Sequence, residues 1–187
     1  YKSIEKYIIK QASIFITTTT QCTDFYSNLY SHLDKIPTLT VTNGFSQEFH
    51  AKIRSSRSSS EVQKRFTLTH SGNLYQIGRN PNVLLKAISL LVKGSKVTKD
   101  NFKLIFRGAT PWTELKKEIE ALQLTDIIEF KPNVDYTESI HEMYSADVNL
   151  LIQNEIFDLQ VPSKLYDLIA IQRPVIAVTN SDGALAK

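Results

Sequence analysis

The segment Pro162-Ser163-Lys164-Leu165-Tyr166-Asp167 sets a helix start, a hydroxyl, a cation and a carboxylate within one short stretch. Pro162 suits the opening of a helix, and Ser163 can cap the exposed N–H groups of the first turn. The positive end of the helix dipole favours a phosphate there. Lys164 adds a mobile cation at the same place. Asp167 lies one turn further on, on the face shared by Ser163 and Lys164. A carboxylate so placed can accept two hydrogen bonds from a cis-diol such as ribose. The structural alternative is a capped surface helix with a Lys–Asp pair at a common spacing.

A second constellation is Ser71-Gly72-Asn73-Leu74 followed by Gly78-Arg79-Asn80-Pro81. Gly72 would let a ligand approach the backbone closely just after a strand. Arg79 stands at the start of the next helix, where guanidinium and amide donors could grip a diphosphate. The pattern is neither a P-loop nor GxGxxG, so a β-α turn with a surface Arg is its alternative. Arg107-Gly108 also closes a strand, and Arg107 could reach a phosphate or be solvated. His32, His50, His70 and His141 have no metal-like spacing, and no metal site is expected. His70 ends a strand beside Gly72, as a ligand contact or as a hydrogen-bonded structural residue. Trp112, next to Pro111, packs its helix or stacks on a sugar or base. Thr17 to Thr20 reads as a strand end and helix cap.

These residues need a frame, and the chain alternates strands with helices from residue 66 onward. Strands are expected at Phe66–His70, Phe102–Phe106, Ile127–Phe130, Val148–Ile152 and Pro174–Val178. Between them, helical spacing appears at Leu84, Leu85, Ile88, Leu91 and Val92. It recurs at Leu115, Ile119 and Leu122, at Ile140, Met143 and Tyr144, and at Leu165, Leu168 and Ile169. Val148–Ile152 and Pro174–Val178 are continuous apolar runs, which predicts strands covered on both faces. The order predicts an α/β fold with a doubly wound parallel sheet and right-handed crossovers. Ligands of such sheets sit at the carboxyl ends of the strands, where the loops after Thr69, Phe106, Phe130, Ile152 and Val178 converge. The first stretch suggests helices near Ile4–Gln11 and Cys22–Tyr30, with strands at Ile14–Thr17 and Pro37–Val41. We expect residues 1–44 to be the tail of a preceding domain with its hinge, 45–65 a linker, and 66–187 the main unit, truncated at its C-terminal end.

Bulk composition narrows the class. Hydrophobic content of 42% and charged content of 22% are ordinary for a globular chain of 187 residues. A net charge of +3 with dispersed Lys and Arg argues against a nucleic-acid partner. Lys52, Arg54, Arg57, Lys64 and Arg65 surround Ser58-Ser59-Ser60, which reads as a solvated linker or as a weak attraction to anionic lipid. Cys22 is the single cysteine, so no intrachain disulfide forms, in keeping with a cytoplasmic location. No apolar run reaches the length needed to cross a bilayer.

The two constellations, in order, resemble a known family. "HSGNLYQIGRNPNVLLKAISLL" is similar to the donor-domain opening of the GT-B glycosyltransferases of family 4. "ADVNLLIQNEIFDLQVPSKLYDLIAIQRPVIAV" resembles that family's later signature, and "TVTNGFSQEF" its interdomain hinge. The resemblance implies a Rossmann-like donor domain that binds a nucleoside diphosphate sugar for retaining transfer to a hydroxyl acceptor. A UDP-sugar is favoured over a GDP-sugar, and no separate cofactor is expected. The diphosphate would meet Gly72, Asn73, Arg79, Ser163 and Lys164, and Asp167 would hold the ribose. The loop carrying Asn133 and Val134 would recognise the base through its backbone. Asn73 stands where the family has an Arg, and Leu159 where it has a Glu facing the transferred sugar. Glu155 or Asp158 could supply that missing acceptor in catalysis. The resemblance also implies that the acceptor site lies in an N-terminal domain, so this chain would be inactive alone. A location at the inner face of the membrane, through peripheral contact of the full-length protein, and a role in polysaccharide biosynthesis follow from the family only. A GT-B nucleotide-sugar epimerase and a degenerate, non-catalytic GT-B binding domain are the alternatives.

Overall fold

The structure is a computed structural model that describes residues 2–55 and 65–187. Its first part holds α1 (Lys2–Gln11), β1 (Phe15–Thr17), α2 (Thr20–Leu29), a 3-10 turn at Ser31–Lys35, β2 (Thr38–Thr40) and α3 (Gln47–Ser55). The main part runs β3 (Phe66–Ser71), α4 (Asn82–Lys93), β4 (Phe102–Arg107), α5 (Thr113–Ala121), β5 (Ile128–Lys131), α6 (Tyr136–Ser145), β6 (Val148–Ile152), α7 (Ser163–Ile171) and β7 (Val175–Val178). The expected fold class holds: the five strands form one parallel sheet in the order β5-β4-β3-β6-β7. The chain winds outward from β3 to β5, then crosses back to β6 on the other side of β3. That reversal opens a crevice at the carboxyl ends of β3 and β6.

Alternation along β6 shows how the two faces are covered. Leu150 and Ile152 join a core with Leu85, Ile88, Leu104, Leu115 and Ile119, which brings α4 and α5 to one face. Leu151 points the other way, into a core with Ile140, Met143, Tyr144, Leu168 and Ile171 from α6 and α7. Side chains as deeply buried as Leu85, Leu104 and Leu150 each contribute about 1.5–3 kcal/mol. Trp112 packs against the α4–α5 core rather than standing free.

Two expectations are corrected. β7 was expected to be covered on both faces like β6, which is buried throughout. Among the described residues β7 pairs only with β6, and Val175 and Ile176 are exposed. The stretch 45–65 was expected as linker, yet residues 47–55 form α3. Ile53 of α3 enters the α6–α7 core and Phe49 packs against it. Residues 56–64 of that stretch, including Arg57, Lys64 and the serine run, fall outside the described residues.

In the first part, β1 and β2 pair in parallel, Phe15 opposite Thr38 and Thr17 opposite Thr40. Thr19 caps α2 as its type predicts, accepting from the Cys22 amide at 3.1 Å. Its hydroxyl also donates to the Leu159 carbonyl at 2.5 Å, which ties the first part to the loop after β6. No described helix is long and apolar enough to cross a membrane.

Candidate functional site

Strand register brings the site together. Ser71 of β3 lies beside Arg107 of β4, and Arg107 beside Lys131 of β5, so the loops after these strands leave the sheet at one end. There a cleft of about 370 Å³ is lined by Ser71, Gly72, Arg107, Asn133, Val134, Tyr136, Ser139, Met143, Ser163, Lys164 and Asp167. Gly72, Asn133, Val134, Ser163, Lys164 and Asp167, which the sequence singled out from three separate segments, therefore face one space.

Gly72 is required by this geometry. Its φ of +116° disfavours an L side chain, and a Cβ there would fall 2.6 Å from the Lys164 ammonium. Lys164 is largely withdrawn from solvent. Burial, then repulsion from Arg79, brings its pKa down to about 8 against an opposing pull from Asp167. An anion entering here would favour the charged form further.

The opening of α7 differs from expectation in one respect. Pro162 is the N-cap, and no side chain caps the first turn. Ser163 lies inside the helix and lines the cleft instead of serving as the cap. The helix dipole and first-turn amides are thus left without a side-chain acceptor beside Lys164, an arrangement suited to an anion.

Arg79 stands in the turn before α4, which begins three residues later at Asn82. Its guanidinium sits 5.5 Å from the Tyr75 ring centroid and 5.4 Å from that of Phe157. These stacking contacts hold it at a smaller cavity of about 130 Å³ that also touches His70, Gln153, Ser163 and Lys164. Lys164 and Ser163 link the two spaces, so three of the expected diphosphate contacts are neighbours. Asn73 is not among the lining residues; its exposed side chain reaches Tyr75 at 3.5 Å. Glu155 is exposed in a 3-10 turn, and the Asp158 carboxylate bonds Asn180 at 2.6 Å; neither lines the cleft. Leu159 contributes its carbonyl to Thr19 rather than a side chain to the site.

Arg107 is neither solvated nor free for a phosphate. It is buried and forks onto Glu142, with Nε at 2.7 Å from one carboxylate oxygen and Nη2 on the other. Nη1 donates to the Pro132 carbonyl at 2.7 Å, which fixes the loop that carries Asn133 and Val134. Bonding to Glu142 raises the guanidinium's already high pKa. Arg107 is therefore a clamp on the cleft's wall.

Three residues went unassigned by sequence reasoning or were left between readings. Tyr136 donates to Asp167 Oδ1 at 2.6 Å, and burial, then that bond, raises its pKa. His50 of α3 reaches the same oxygen at 3.1 Å. His70 is buried, and its Nδ1 donates to the Leu150 carbonyl at 3.0 Å while Nε2 has no hydrogen-bond partner among the described residues. Burial first, then the Lys164 and Arg79 charges, pushes its pKa down to about 3 against the Leu150 and Asn73 backbone groups. It is a neutral structural ring that also borders the smaller cavity. Nothing in local sequence marks His50 or Tyr136, because each meets Asp167 from a different element. Among the described residues, no group of three or more His, Cys, Asp or Glu could hold a metal ion.

With this geometry in place, solved structures supply a comparison. A sucrose-phosphate synthase from Thermosynechococcus elongatus is 17% identical with a TM-score of 0.63, over 94% of this chain and 43% of that one. S. aureus TarM, solved with UDP and α-GlcNAc-glycerol, is 17% identical with a TM-score of 0.62, over 95% of this chain and 32% of that one. WaaG, a glycosyltransferase involved in lipopolysaccharide biosynthesis, is 15% identical with a TM-score of 0.59, over 91% of this chain and 45% of that one. These neighbours are GT-B glycosyltransferases. The main sheet is a Rossmann-like half of that fold. At such identities the likeness is one of fold, and the chain spans less than half the length of each of these structures. No family model and no curated protein sequence matches the chain.

Proposed function

We propose that this chain carries the donor half of a sugar transferase and binds a nucleoside diphosphate sugar in the cleft at the end of β3. The observation that carries the reading is convergence: Gly72, Ser163 and Lys164 face the same cleft as Asp167, Asn133 and Val134. Lys164, the open first turn of α7 and, through the adjoining cavity, Arg79 would hold the diphosphate. Asp167 would accept from the ribose hydroxyls, and the loop at Asn133 and Val134 would meet the base. Two neighbouring structures, TarM and the pneumococcal O-GlcNAc transferase GtfA, were solved with UDP, which supports UDP as the first nucleotide to try. Retaining transfer to a hydroxyl acceptor, with the acceptor site outside this chain and no turnover by the chain alone, completes the proposal.

Calorimetric titration with UDP, UDP-sugars and GDP-sugars tests it. Micromolar to low-millimolar binding of a UDP ligand, abolished in K164M, is the expected outcome. Silence toward every nucleotide at millimolar concentration refutes the donor-site reading.

A second reading has its own support. Glu155 is exposed away from the cleft, Asp158 is bonded to Asn180, and Leu159 offers no acceptor, so the sugar end lacks an expected carboxylate. A domain that binds the nucleotide without promoting transfer fits those facts. Transfer by the full-length protein to any acceptor rejects that alternative.

A further inference from the structure

Helix α3 reaches into the nucleotide site from behind. His50 is 2% exposed, and its Nε2 lies 3.1 Å from Asp167 Oδ1. Its Nδ1 lies 3.4 Å from the Tyr144 hydroxyl, which is itself 3.4 Å from the Ala170 carbonyl. Phe45 and Phe49 meet the imidazole edge-on at 5.7 and 5.5 Å, and Phe49 stacks on Tyr136 at 5.2 Å. The ring cannot swing without opening these contacts.

A carboxylate's last torsion is broad and two-fold, so an unrestrained Asp presents either oxygen to a cleft. Here His50 and Tyr136 both address Oδ1. Because the carboxylate accepts, Nε2 is the donor in this contact. Pinning Oδ1 from two sides leaves Oδ2 as the acceptor for a ligand.

We propose that His50 is a positioning residue for the nucleotide site: from α3 it holds Asp167 so that Oδ2 faces the ribose hydroxyls. The idea rests on Asp167 as the ribose carboxylate. It makes ribose recognition depend on α3, which directly follows the hinge-like segment. Occupancy of the nucleotide site and docking of α3 then favour one another, since each orders the same carboxylate.

The test compares UDP with 2′-deoxy-UDP by calorimetry on the full chain, its H50Q, H50N and D167N variants, with thermal melts of each. A Gln amide reaches the place of Nε2, whereas Asn reaches only that of Nδ1. The unaltered chain should prefer UDP, and D167N should lose that preference. H50N should weaken UDP by about tenfold, the scale of one charge-assisted hydrogen bond, and leave 2′-deoxy-UDP nearly unchanged; H50Q should restore most of the difference. A full preference in H50N, or equal weakening of both ligands in H50N and H50Q alike, overturns the role of His50. A preference that survives in D167N overturns the ribose reading itself, and the role of His50 with it. If H50N does not fold, the Nε2 proton resonance of the unaltered chain carries the test. UDP should shift it more than 2′-deoxy-UDP, and equal shifts overturn the proposal.

Discussion

His70 makes the fold acid-sensitive by an amount that can be worked out. In the native state the ring is neutral, held near a pKa of about 3 by burial and by the Lys164 and Arg79 charges. In the unfolded chain it titrates near the ordinary 6.5. As pH falls below 6.5 the unfolded state takes up a proton that the native ring refuses, so stability present above 6.5 is progressively lost on acidification. The loss is about 2 kcal/mol at pH 5 and about 3 kcal/mol at pH 4. Against a total of roughly 5–15 kcal/mol for a domain, that is a large fraction. H70N keeps a donor for the Leu150 carbonyl but removes the titrating ring. Urea unfolding at pH 7.5 and pH 5 should therefore show the unaltered chain losing about 2 kcal/mol more than H70N over that interval. A cavity left by the smaller side chain shifts H70N equally at both pH values and cancels in the comparison. Parallel losses in the two proteins would refute the account, and would mean that the native ring protonates in place.

Lys164 supplies a second prediction with the opposite balance. Its charged form is disfavoured by burial, so K164M should raise stability at pH 7, on the order of 1–3 kcal/mol, while abolishing nucleotide binding. For the same reason UDP affinity in the unaltered chain should fall as pH rises through about 8, as titrations at pH 7 and pH 9 would read. Gly72→Ala meets both a positive φ and the Lys164 ammonium; nucleotide affinity should drop at least tenfold, about 1.4 kcal/mol, with a lower melting temperature. R107M strands the Glu142 carboxylate and frees the Pro132 carbonyl, which should cost about 2–4 kcal/mol by chemical denaturation and blur base preference. T19A removes the cap of α2 and the bond to the Leu159 carbonyl, with an expected loss of about 1 kcal/mol in a thermal melt.

Much of the main sheet was legible in the chain. The strand pattern at Phe102–Phe106 and the apolar run at Val148–Ile152, separated by helical spacing, report periodicity, and periodicity is set by local backbone geometry. The cleft residues were legible for a related reason: Gly72, Ser163 and Lys164 sit where a strand ends or a helix begins, and a parallel sheet gathers such points at one end. Arg107 was found but assigned to the wrong surroundings, since its partners Glu142 and Pro132 are 35 and 25 residues away.

By itself, then, the sequence determined the alternation of elements, the parallel sheet and the opening of α7 as the place where a cation meets a helix N-terminus. Tertiary structure alone decided what stands behind that place. His50 from α3 and Tyr136 from α6 share one oxygen of Asp167 across separations of 117 and 31 residues. Such contacts follow from how helices dock on a sheet, and no local pattern encodes the partner a side chain meets across the core.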